Sequence, residues 1–287
     1  MFEFKVPATS ANLGLGFDSI GMAFSKFLYI KSVESESFKV IHESKENFIL
    51  PMDESNLIIK TAIDVAKKFN KVMPKIQVTT INEIPLSRGL GSSSSAIIAG
   101  IELANFYCDL KLKDYDKILI GSEIEGHPDN IGPCVTGGLF IGSYEDGVLT
   151  YYHSPYPHFS YIVSIPNYKI QTVEARSVLP DSYKKQDAVL HNASANVFVA
   201  GLLNGDQNII RKTIINDRFH ESYRSDLIKE FKEIKEIAKK SGAIGTVMSG
   251  AGPTVLTITE NGHVSAVLNA LKNNIECDHE EIFVYNK

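Results

Sequence analysis

The sequence has 287 residues, of which 44% are hydrophobic and 22% charged, and this is enough material for one or two globular domains. The formal net charge of −5 gives no long-range attraction toward nucleic acid or an anionic membrane and so disfavours both as partners. No stretch approaches the roughly 20 apolar residues that cross a bilayer. We therefore expect a cytoplasmic protein with no nucleic-acid partner and no membrane partner.

The first predicted elements in chain order are a helix and a strand. Residues 55–69 carry apolar side chains at helical spacing, and Ser55 stands where an N-cap is expected. The alternating run at 75–81 predicts a strand. It leads through a loop of glycines and serines into an apolar helix that we predict to begin near Ala96.

The second half of the chain mixes strand and helix patterns. Strands are predicted at 160–166, 246–250, 254–259 and 281–285, and helices at 226–240 and 263–272. This mixture indicates an α+β fold. The stretch 151–159 is aromatic and contains two prolines, which interrupt helices and sheets alike. It predicts a boundary between an N-terminal domain of residues 1–155 and a C-terminal domain of residues 156–287.

The loop Gly89–Ser95 has the composition of an anion-binding site. Glycines let the backbone approach a ligand, and the first turn of a helix offers unpaired N–H groups and the positive end of its dipole. An ordinary strand-to-helix turn would account for one glycine and one serine, but not for four serines after Gly-Leu-Gly. The GxxxxGK[ST] pattern is absent, so an ordinary P-loop is excluded.

Three further segments carry more polar side chains or glycines than a connection needs. They are 6–24 with Asn12, Asp18 and Ser19, 123–133 with Glu123, Glu125, His127, Asp129 and Asn130, and 249–254 with Gly250 and Gly252. Carboxylates of the second segment suit Mg²⁺, which prefers oxygen ligands. A polar turn, a solvated acidic loop and a tight hairpin are the alternative interpretations of the three segments.

Together these segments resemble the GHMP kinase superfamily, whose phosphate loop reads PxxxGLGSSxA; Pro85 to Ala96 read PLSRGLGSSSSA. Within the superfamily the chain is similar to the homoserine kinase family, because VPATSANLGxGFDS, EGHPDN and SGAGPT stand in that family's order. The resemblance implies an N-terminal ribosomal-protein-S5-like domain and a C-terminal ferredoxin-like domain, with ATP and substrate bound between them. Relatives are commonly homodimers.

The same resemblance implies an activity and its residues. The activity is phosphorylation of L-homoserine by ATP and Mg²⁺ to O-phospho-L-homoserine, a step of threonine biosynthesis from aspartate. ATP would be bound by Asn56, Pro85, Leu86, Ser87, Arg88, Gly89, Leu90, Gly91, Ser92, Ser93, Ser94, Ser95 and Ala96, and Mg²⁺ by Ser93 and Glu125. The substrate would be bound by Asn12, Asp18, His127, Asn130, Arg176 and Arg224. The catalytic residues would be Asn130, Glu125 and Thr172, with Asn130 orienting the accepting hydroxyl and Asp129 not acting as a base.

The charges of these residues fit that substrate on chemical grounds. Homoserine is a zwitterion, so its pocket must offer an anion to the ammonium and a cation to the carboxylate. Asp18 supplies the first, and Arg176 and Arg224 the second, since a guanidinium pairs with a carboxylate through two parallel hydrogen bonds. A galactose site needs neither charge, and a mevalonate site needs only the cation. Without the resemblance, surface solvation would be the expected fate of both arginines.

The chain departs from the family pattern at two places. Leu15 stands where proline is common, and Ser94 and Ser95 stand where alanines are frequent. None of these changes removes a backbone N–H, so we expect phosphate binding to be retained. A GHMP kinase for another acceptor, such as mevalonate, and a nucleotide-binding regulator without catalysis are the alternative functions.

Overall fold

A computed structural model describes residues 1–43, 50–156 and 158–287. The strands of the described part are β1 (Phe2–Asn12), β2 (Gly16–Glu34), β3 (Lys39–His42), β4 (Ile76–Asn82), β5 (Leu139–Glu145), β6 (Val148–Ser154), β7 (Ser160–Ile165), β8 (Gly245–Met248), β9 (Val255–Thr259) and β10 (Asp278–Ile282). The helices are α1 (Leu57–Lys68), α2 (Ser92–Tyr107), α3 (Asp114–Glu125), α4 (Ile131–Thr136), α5 (Thr172–Ser177), α6 (Lys185–Asn204), α7 (Gln207–Thr213), α8 (Glu221–Arg224), α9 (Phe231–Lys240) and α10 (Val264–Asn274).

The first sheet is built around a long hairpin of β1 and β2. Strand β2 also pairs with β4 and β5, and the order across the sheet is β3-β4-β2-β5-β6. The pairs are antiparallel except for β3 with β4, which is parallel. Helices α1, α2 and α4 contribute fully buried apolar side chains, such as Ile59, Ile98 and Ile131, to the core that they share with this sheet. The loop after β1 and the start of α2 thereby end up close together.

The second sheet confirms the ferredoxin-like expectation. Its order is β10-β7-β9-β8, with antiparallel neighbours throughout. Counted along the chain this is the order 4-1-3-2, with helices between the first and second strands and between the third and fourth, as in a βαββαβ unit. Helices α9 and α10 supply Phe231, Ile234 and Leu271 to a second apolar core behind it. The predicted two-domain α+β architecture is therefore confirmed.

Several predicted element boundaries were wrong. Helix α1 begins at Leu57 with Asn56, not Ser55, as its N-cap, because the Asn56 side chain accepts a hydrogen bond from the N–H of Ile58 at 3.0 Å. Helix α2 begins at Ser92 and not near Ala96. Its first turn contains only serines, so apolar periodicity could not reveal it.

Other boundaries also differ from the predicted ones. The helix predicted from residue 226 begins at Phe231, after a 3₁₀ turn at Ser225–Leu227. The last strand is β10 (Asp278–Ile282), not 281–285. Val284 instead forms a bridge with Phe24 of the first sheet, and the N–H of Tyr285 donates to the carbonyl of Ala23. The apolar residues of this tail are explained by packing on the first sheet, which local pattern does not reveal.

The connection between the two sheets runs from residue 155 to residue 159. Residues 151–154 of the aromatic stretch belong to β6, and Pro157 lies outside the described residues. The domain boundary at 155/156 stays a prediction. Among the described residues, no helix is both long and apolar enough to cross a membrane.

Candidate active site

A cavity of about 560 Å³ lies where the two halves of the chain meet. The loop after β1, the start of α2 and the α3–α4 connection line one side of it, and α5, α8 and the β8–β9 loop line the other. The lining residues are Ala11, Asn12, Asp18, Ser87, Gly89, Gly91, Ser92, Ser93, Ser94, Glu125, His127, Asp129, Asn130, Ile170, Gln171, Thr172, Val173, Arg176, Arg224, Gly250, Ala251 and Gly252. All four polar segments singled out in the sequence thus converge on one cavity.

The N-terminus of α2 forms one end of this cavity. Gly89 and Gly91 have φ of 80° and 71°, in the left-handed region. A Cβ would lie 2.3 Å from the carbonyl oxygen of Ser249 at Gly89 and 2.0 Å from Oγ1 of Thr9 at Gly91, so neither position has room for a side chain. Gly91 is the N-cap residue of α2 and provides no side-chain cap. The first turn therefore offers N–H groups and the helix dipole to an anion.

The β8–β9 loop backs this end of the cavity. The Ser249 hydroxyl donates to the carbonyl of Gly89 at 2.6 Å, and the N–H of Thr254 donates to the carbonyl of Arg88 at 3.1 Å. The loop is therefore more than a hairpin, because it fixes the phosphate loop from the opposite half of the chain.

Glu125 ends α3 and faces the start of α2. The Ser94 hydroxyl lies 2.8 Å from both carboxylate oxygens and donates to them. Desolvation by burial raises the pKa of Glu125 to about 7, although the Ser94 hydrogen bond and the nearby His127 oppose the shift. Ser94 contacts Glu125. Ser93, which the resemblance assigned together with Glu125 to Mg²⁺, is exposed at the cavity. Which of the four consecutive serines contacts Glu125 depends on where α2 begins, since successive helical residues point about 100° apart.

His127, Asp129 and Asn130 form the middle of the cavity. Nδ1 of His127 lies 2.5 Å from Oδ1 of Asp129. Burial lowers the pKa of His127, but the hydrogen bond to Asp129 and the carboxylates of Asp129, Asp18 and Glu125 outweigh it and raise the pKa to about 9. Oδ1 of Asn130 accepts a hydrogen bond from the hydroxyl of Thr9 at 2.8 Å. The amide nitrogen is then the group that Asn130 can offer to a ligand.

Asp18 lies between a histidine and an arginine. Its carboxylate, the His127 ring and the Asp129 carboxylate have ligand atoms within 4.8 Å of one another. Arg176 donates to Asp18 through two parallel bonds, Nη2 to Oδ1 at 2.8 Å and Nη1 to Oδ2 at 3.2 Å. Asn12 fixes the backbone of Asp18, because Oδ1 of Asn12 accepts a hydrogen bond from the N–H of Asp18 at 3.1 Å. Nδ2 of Asn12 donates to the carbonyl of Gly250.

Arg224 is a buried cation at the same end. Only 2% of it is exposed, and its Nε donates to the carbonyl of Ala175 at 2.8 Å. Burial and the neighbouring Arg176 lower the pKa of its guanidinium. No carboxylate among the described residues lies within 4.0 Å of it, while the ring of Phe17 stands 5.2 Å from its Cζ. A buried cation of this kind calls for an anionic ligand.

The predicted site residues divide into two groups. Asn12, Asp18, Ser87, Gly89, Gly91, Ser92, Ser93, Ser94, Glu125, His127, Asn130, Thr172, Arg176 and Arg224 line the cavity. Asn56, Pro85, Leu86, Arg88, Leu90, Ser95 and Ala96 do not. Asn56 caps α1, Leu90 lies fully in the core, and the Ser95 hydroxyl donates to the carbonyl of Pro7. Sequence analysis missed Ile170 and Gln171, which carry no motif of their own.

Comparison with known proteins agrees with this arrangement. Family models described as the GHMP kinase N-terminal domain and the GHMP kinase C-terminal domain match residues 56–138 and 198–277. The chain is 45% identical over 274 residues to the homoserine kinase of Streptococcus mutans, covering 94% of this chain and 93% of that protein. It is 39% identical to the homoserine kinase of Staphylococcus haemolyticus, with 99% and 94% covered.

Solved structures extend the likeness to the fold. The homoserine kinase of Cytophaga hutchinsonii superposes with a TM-score of 0.86 at 27% identity, covering 99% of this chain and 96% of that one. The mevalonate kinase of Methanococcus jannaschii superposes with a TM-score of 0.71 at 16% identity, with 99% and 98% covered, and shows a shared fold alone. With the cavity, its glycine-lined helix start and both family models in agreement, the chain belongs to the GHMP kinase family.

Proposed function

We propose that this protein transfers the γ-phosphoryl group of ATP to the hydroxyl of L-homoserine and so forms O-phospho-L-homoserine. The observation that carries the proposal is one carboxylate, Asp18, beside two guanidiniums, Arg176 and Arg224, at one end of the cavity whose other end is a helix N-terminus. The relatives that carry the name homoserine kinase, at up to 45% identity over nearly the whole chain, support the choice of substrate.

The charges explain why a zwitterion fits. In this structure Arg176 neutralises Asp18, and Arg224 is left without a carboxylate among the described residues. A substrate ammonium takes the place of Arg176 at Asp18, and a substrate carboxylate then binds Arg176 and Arg224 together. Each charged group then contacts an opposite charge, with the two guanidiniums sharing one carboxylate. Galactose would leave the buried Arg224 unpaired, and mevalonate, which has no ammonium to displace Arg176 from Asp18, would have only Arg224 for its carboxylate.

The phosphates of ATP occupy the N-terminus of α2 in this proposal. The chain positions reactants and neutralises charge, which is most of what phosphoryl transfer requires. Glu125 and Ser93 offer oxygen ligands of the kind that Mg²⁺ takes. Burial raises the pKa of Glu125, so a bound cation would favour its ionised form. When bound there, Mg²⁺ would neutralise phosphate charge.

The accepting hydroxyl is held by Asn130 in this arrangement. Its amide nitrogen donates to the hydroxyl oxygen, which attacks the γ-phosphorus while the bond to the β–γ bridging oxygen breaks and ADP leaves; the hydroxyl proton passes to an oxygen of the transferred phosphoryl group. Asp129 is an unsuitable base, because it is 1% exposed and already engaged with His127.

Thr172 starts α5 at the edge of the cavity, exposed and within the lining. We expect its hydroxyl to hydrogen-bond the transferring phosphoryl group or the acceptor, so Thr172→Val should lower kcat about tenfold. Steady-state kinetics checks this, and wild-type values for kcat and both KM values would remove Thr172 from the catalytic group.

A coupled assay of ADP release with Mg·ATP and four acceptors tests the function. We expect turnover with L-homoserine and none with L-serine, mevalonate or galactose. Turnover with mevalonate instead would keep the kinase assignment and discard the substrate. ATP binding without turnover of any acceptor would favour a regulator that does not catalyse.

The same proposal places the protein in the cytoplasm, where ATP is available. All three cysteines, Cys108, Cys134 and Cys277, are free thiols, as a reducing compartment allows.

We also propose that the chain forms a homodimer through the exposed face of α6. From Val189 to the end of the helix, every exposed residue is uncharged: Val189, Leu190, Asn192, Ala193, Asn196, Val197, Ala200, Leu203 and Asn204. Solvent-facing helix surfaces normally carry charges. Lys184 and Lys185 stand at the N-terminus of α6, where the helix dipole disfavours positive charge. In an antiparallel pair of α6 helices they reach the C-terminus of the partner's α6, where cations are favoured.

The oligomeric state tests this surface. Val197→Glu should convert a dimer into a monomer in light-scattering measurements at micromolar concentration, because it buries a charge in the pair. The control is Val72→Glu, since Val72 is 91% exposed at the end of the α1 region. A monomeric wild type, or a Val197→Glu dimer, would contradict the proposed interface.

A further inference from the structure

The turn between β1 and β2 carries two residues of the proposed substrate site. Asn12 precedes the turn and Asp18 follows it, and the turn itself is formed by residues 13–15. Asn12, Leu13 and Asp18 all have positive φ, at 71°, 42° and 56°. Asn and Asp tolerate this region better than other non-glycine residues, but leucine is disfavoured there, so the conformation of Leu13 persists only where the surrounding structure fixes it.

Two buried histidines fix this turn from the other half of the chain. Nε2 of His220 lies 2.8 Å from the carbonyl oxygen of Gly14, and Nε2 of His191 lies 3.1 Å from that of Leu15. A carbonyl oxygen only accepts, so each Nε2 carries the proton. His220 is fully buried and His191 is 3% exposed.

The second nitrogen of His191 agrees with a neutral ring. Its Nδ1 accepts a hydrogen bond from the N–H of Arg218 at 3.3 Å, and burial lowers the pKa of His191 despite the nearby Asp217. The neutral Nε2–H tautomer therefore satisfies both contacts at once.

The ring of His220 also holds the residue next to Asp18. It stacks on Phe17 with ring centroids 5.2 Å apart. His220 itself is the N-cap residue of α8, the helix that ends in Arg224. The carboxylate of Asp217 fixes that helix separately, by accepting from the N–H groups of His220 and Glu221. One imidazole thus connects the turn that carries the anion of the site to the helix that carries its buried cation.

We infer that His191 and His220 are positioning residues, which hold Asp18 where the ammonium of the substrate binds. That the substrate carries an ammonium rests on the proposed function, whereas the anchoring of the turn does not. Neither histidine lines the cavity, so neither touches the substrate. Loss of either donor should displace Asp18 while the Asp217-capped α8 keeps Arg224, so that ammonium recognition weakens and carboxylate recognition persists.

The test compares His220→Leu and His191→Leu with His220→Gln, whose amide nitrogen can replace Nε2. The matched control is His279→Leu. His279 is also buried, at 7% exposed, but its ring contacts Ser164 and the carbonyl of Ile275 behind the second sheet. The first measurement is the ratio of kcat/KM for L-homoserine to that for 4-hydroxybutanoate, which lacks the ammonium. This ratio does not depend on the fraction of enzyme that is folded.

We expect each Leu variant at His191 or His220 to lower that ratio about tenfold or more, to raise the KM for homoserine and to leave the KM for ATP unchanged. His220→Gln should restore the ratio to within about threefold, and His279→Leu should leave it at the wild-type value. An unchanged ratio in both Leu variants would overturn the inference. If His220→Leu does not fold, His191→Leu gives the same comparison through an independent hydrogen bond.

Hydrogen exchange of the ligand-free protein separates this inference from the proposed function. The peptide that contains Leu13 to Asp18 should exchange faster in the Leu variants of His191 and His220 than in His279→Leu. That result would stand even if the wild type failed to turn over homoserine. Unaltered exchange of this peptide would reject the anchoring whatever the substrate proves to be.

Discussion

Glu125→Gln is expected to lower kcat by a factor of about 10³ and, at the same time, to stabilise the ligand-free protein. The kinetic loss follows from removing a carboxylate that contacts the start of α2, where charge on the phosphates must be neutralised. The stabilisation follows from the pKa of Glu125, which burial raises from 4.5 to about 7.

The pH dependence of that stabilisation has a definite sign. Between the unfolded and the folded pKa the folded state binds more protons, so the stability contributed by Glu125 falls as pH rises. A glutamine does not titrate. The advantage of Glu125→Gln in free energy of unfolding should therefore grow by about 2 kcal/mol between roughly pH 5 and pH 8. Denaturant unfolding at the two pH values, without nucleotide, measures it.

Asp129→Asn is the control for the kinetic part. Asp129 is a carboxylate of the same loop, four residues on, but its Oδ1 is held by His127. We expect this variant to keep most of its kcat. A loss as large as that of Glu125→Gln, with little change in KM, would identify Asp129 as a base and revise the mechanism. A Glu125→Gln protein that is no more stable at high pH would show that Glu125 is solvated.

Several elements and the loops that form the cavity could be predicted from the sequence, because both are local. The alternation at β4, the apolar run of α2 and the glycines between them are contiguous. The structure adds a reason for Gly89 and Gly91 that the sequence did not show, because protein atoms leave no space for a Cβ at either position.

The contacts that the sequence could not reveal depend on tertiary structure. No local pattern distinguishes Ser94 from Ser93, and the partner of Glu125 follows only from the rotation of α2. The role of Asn56 as a helix cap is seen only in the structure, where its side chain accepts a hydrogen bond from the N–H of Ile58. His191 and His220 lie more than 170 residues from the turn that they hold, so nothing in their own segments indicates that function.

Asp18→Asn is expected to lower kcat/KM for homoserine by a factor of about 10² to 10³, and to leave kcat/KM for 4-hydroxybutanoate unchanged or raised. The reason is that the substrate ammonium, desolvated in the complex, is left without its anionic partner. The neutral amide also releases Arg176, which the wild-type Asp18 holds through two hydrogen bonds. An acceptor that carries only a carboxylate then finds both guanidiniums free.

Asp187→Asn is the matched control for this change. The Asp187–Arg218 pair has the same 2.8 Å separation as the Asp18–Arg176 pair, and its side chains are 38% and 42% exposed against 33% and 39%. Asp187 lies outside the cavity lining, so its loss should leave both acceptors unaffected. Equal losses for homoserine and 4-hydroxybutanoate in Asp18→Asn would mean that Asp18 supports the loop and does not bind the ammonium. A selective loss for homoserine would assign the anion of the zwitterion pocket to Asp18.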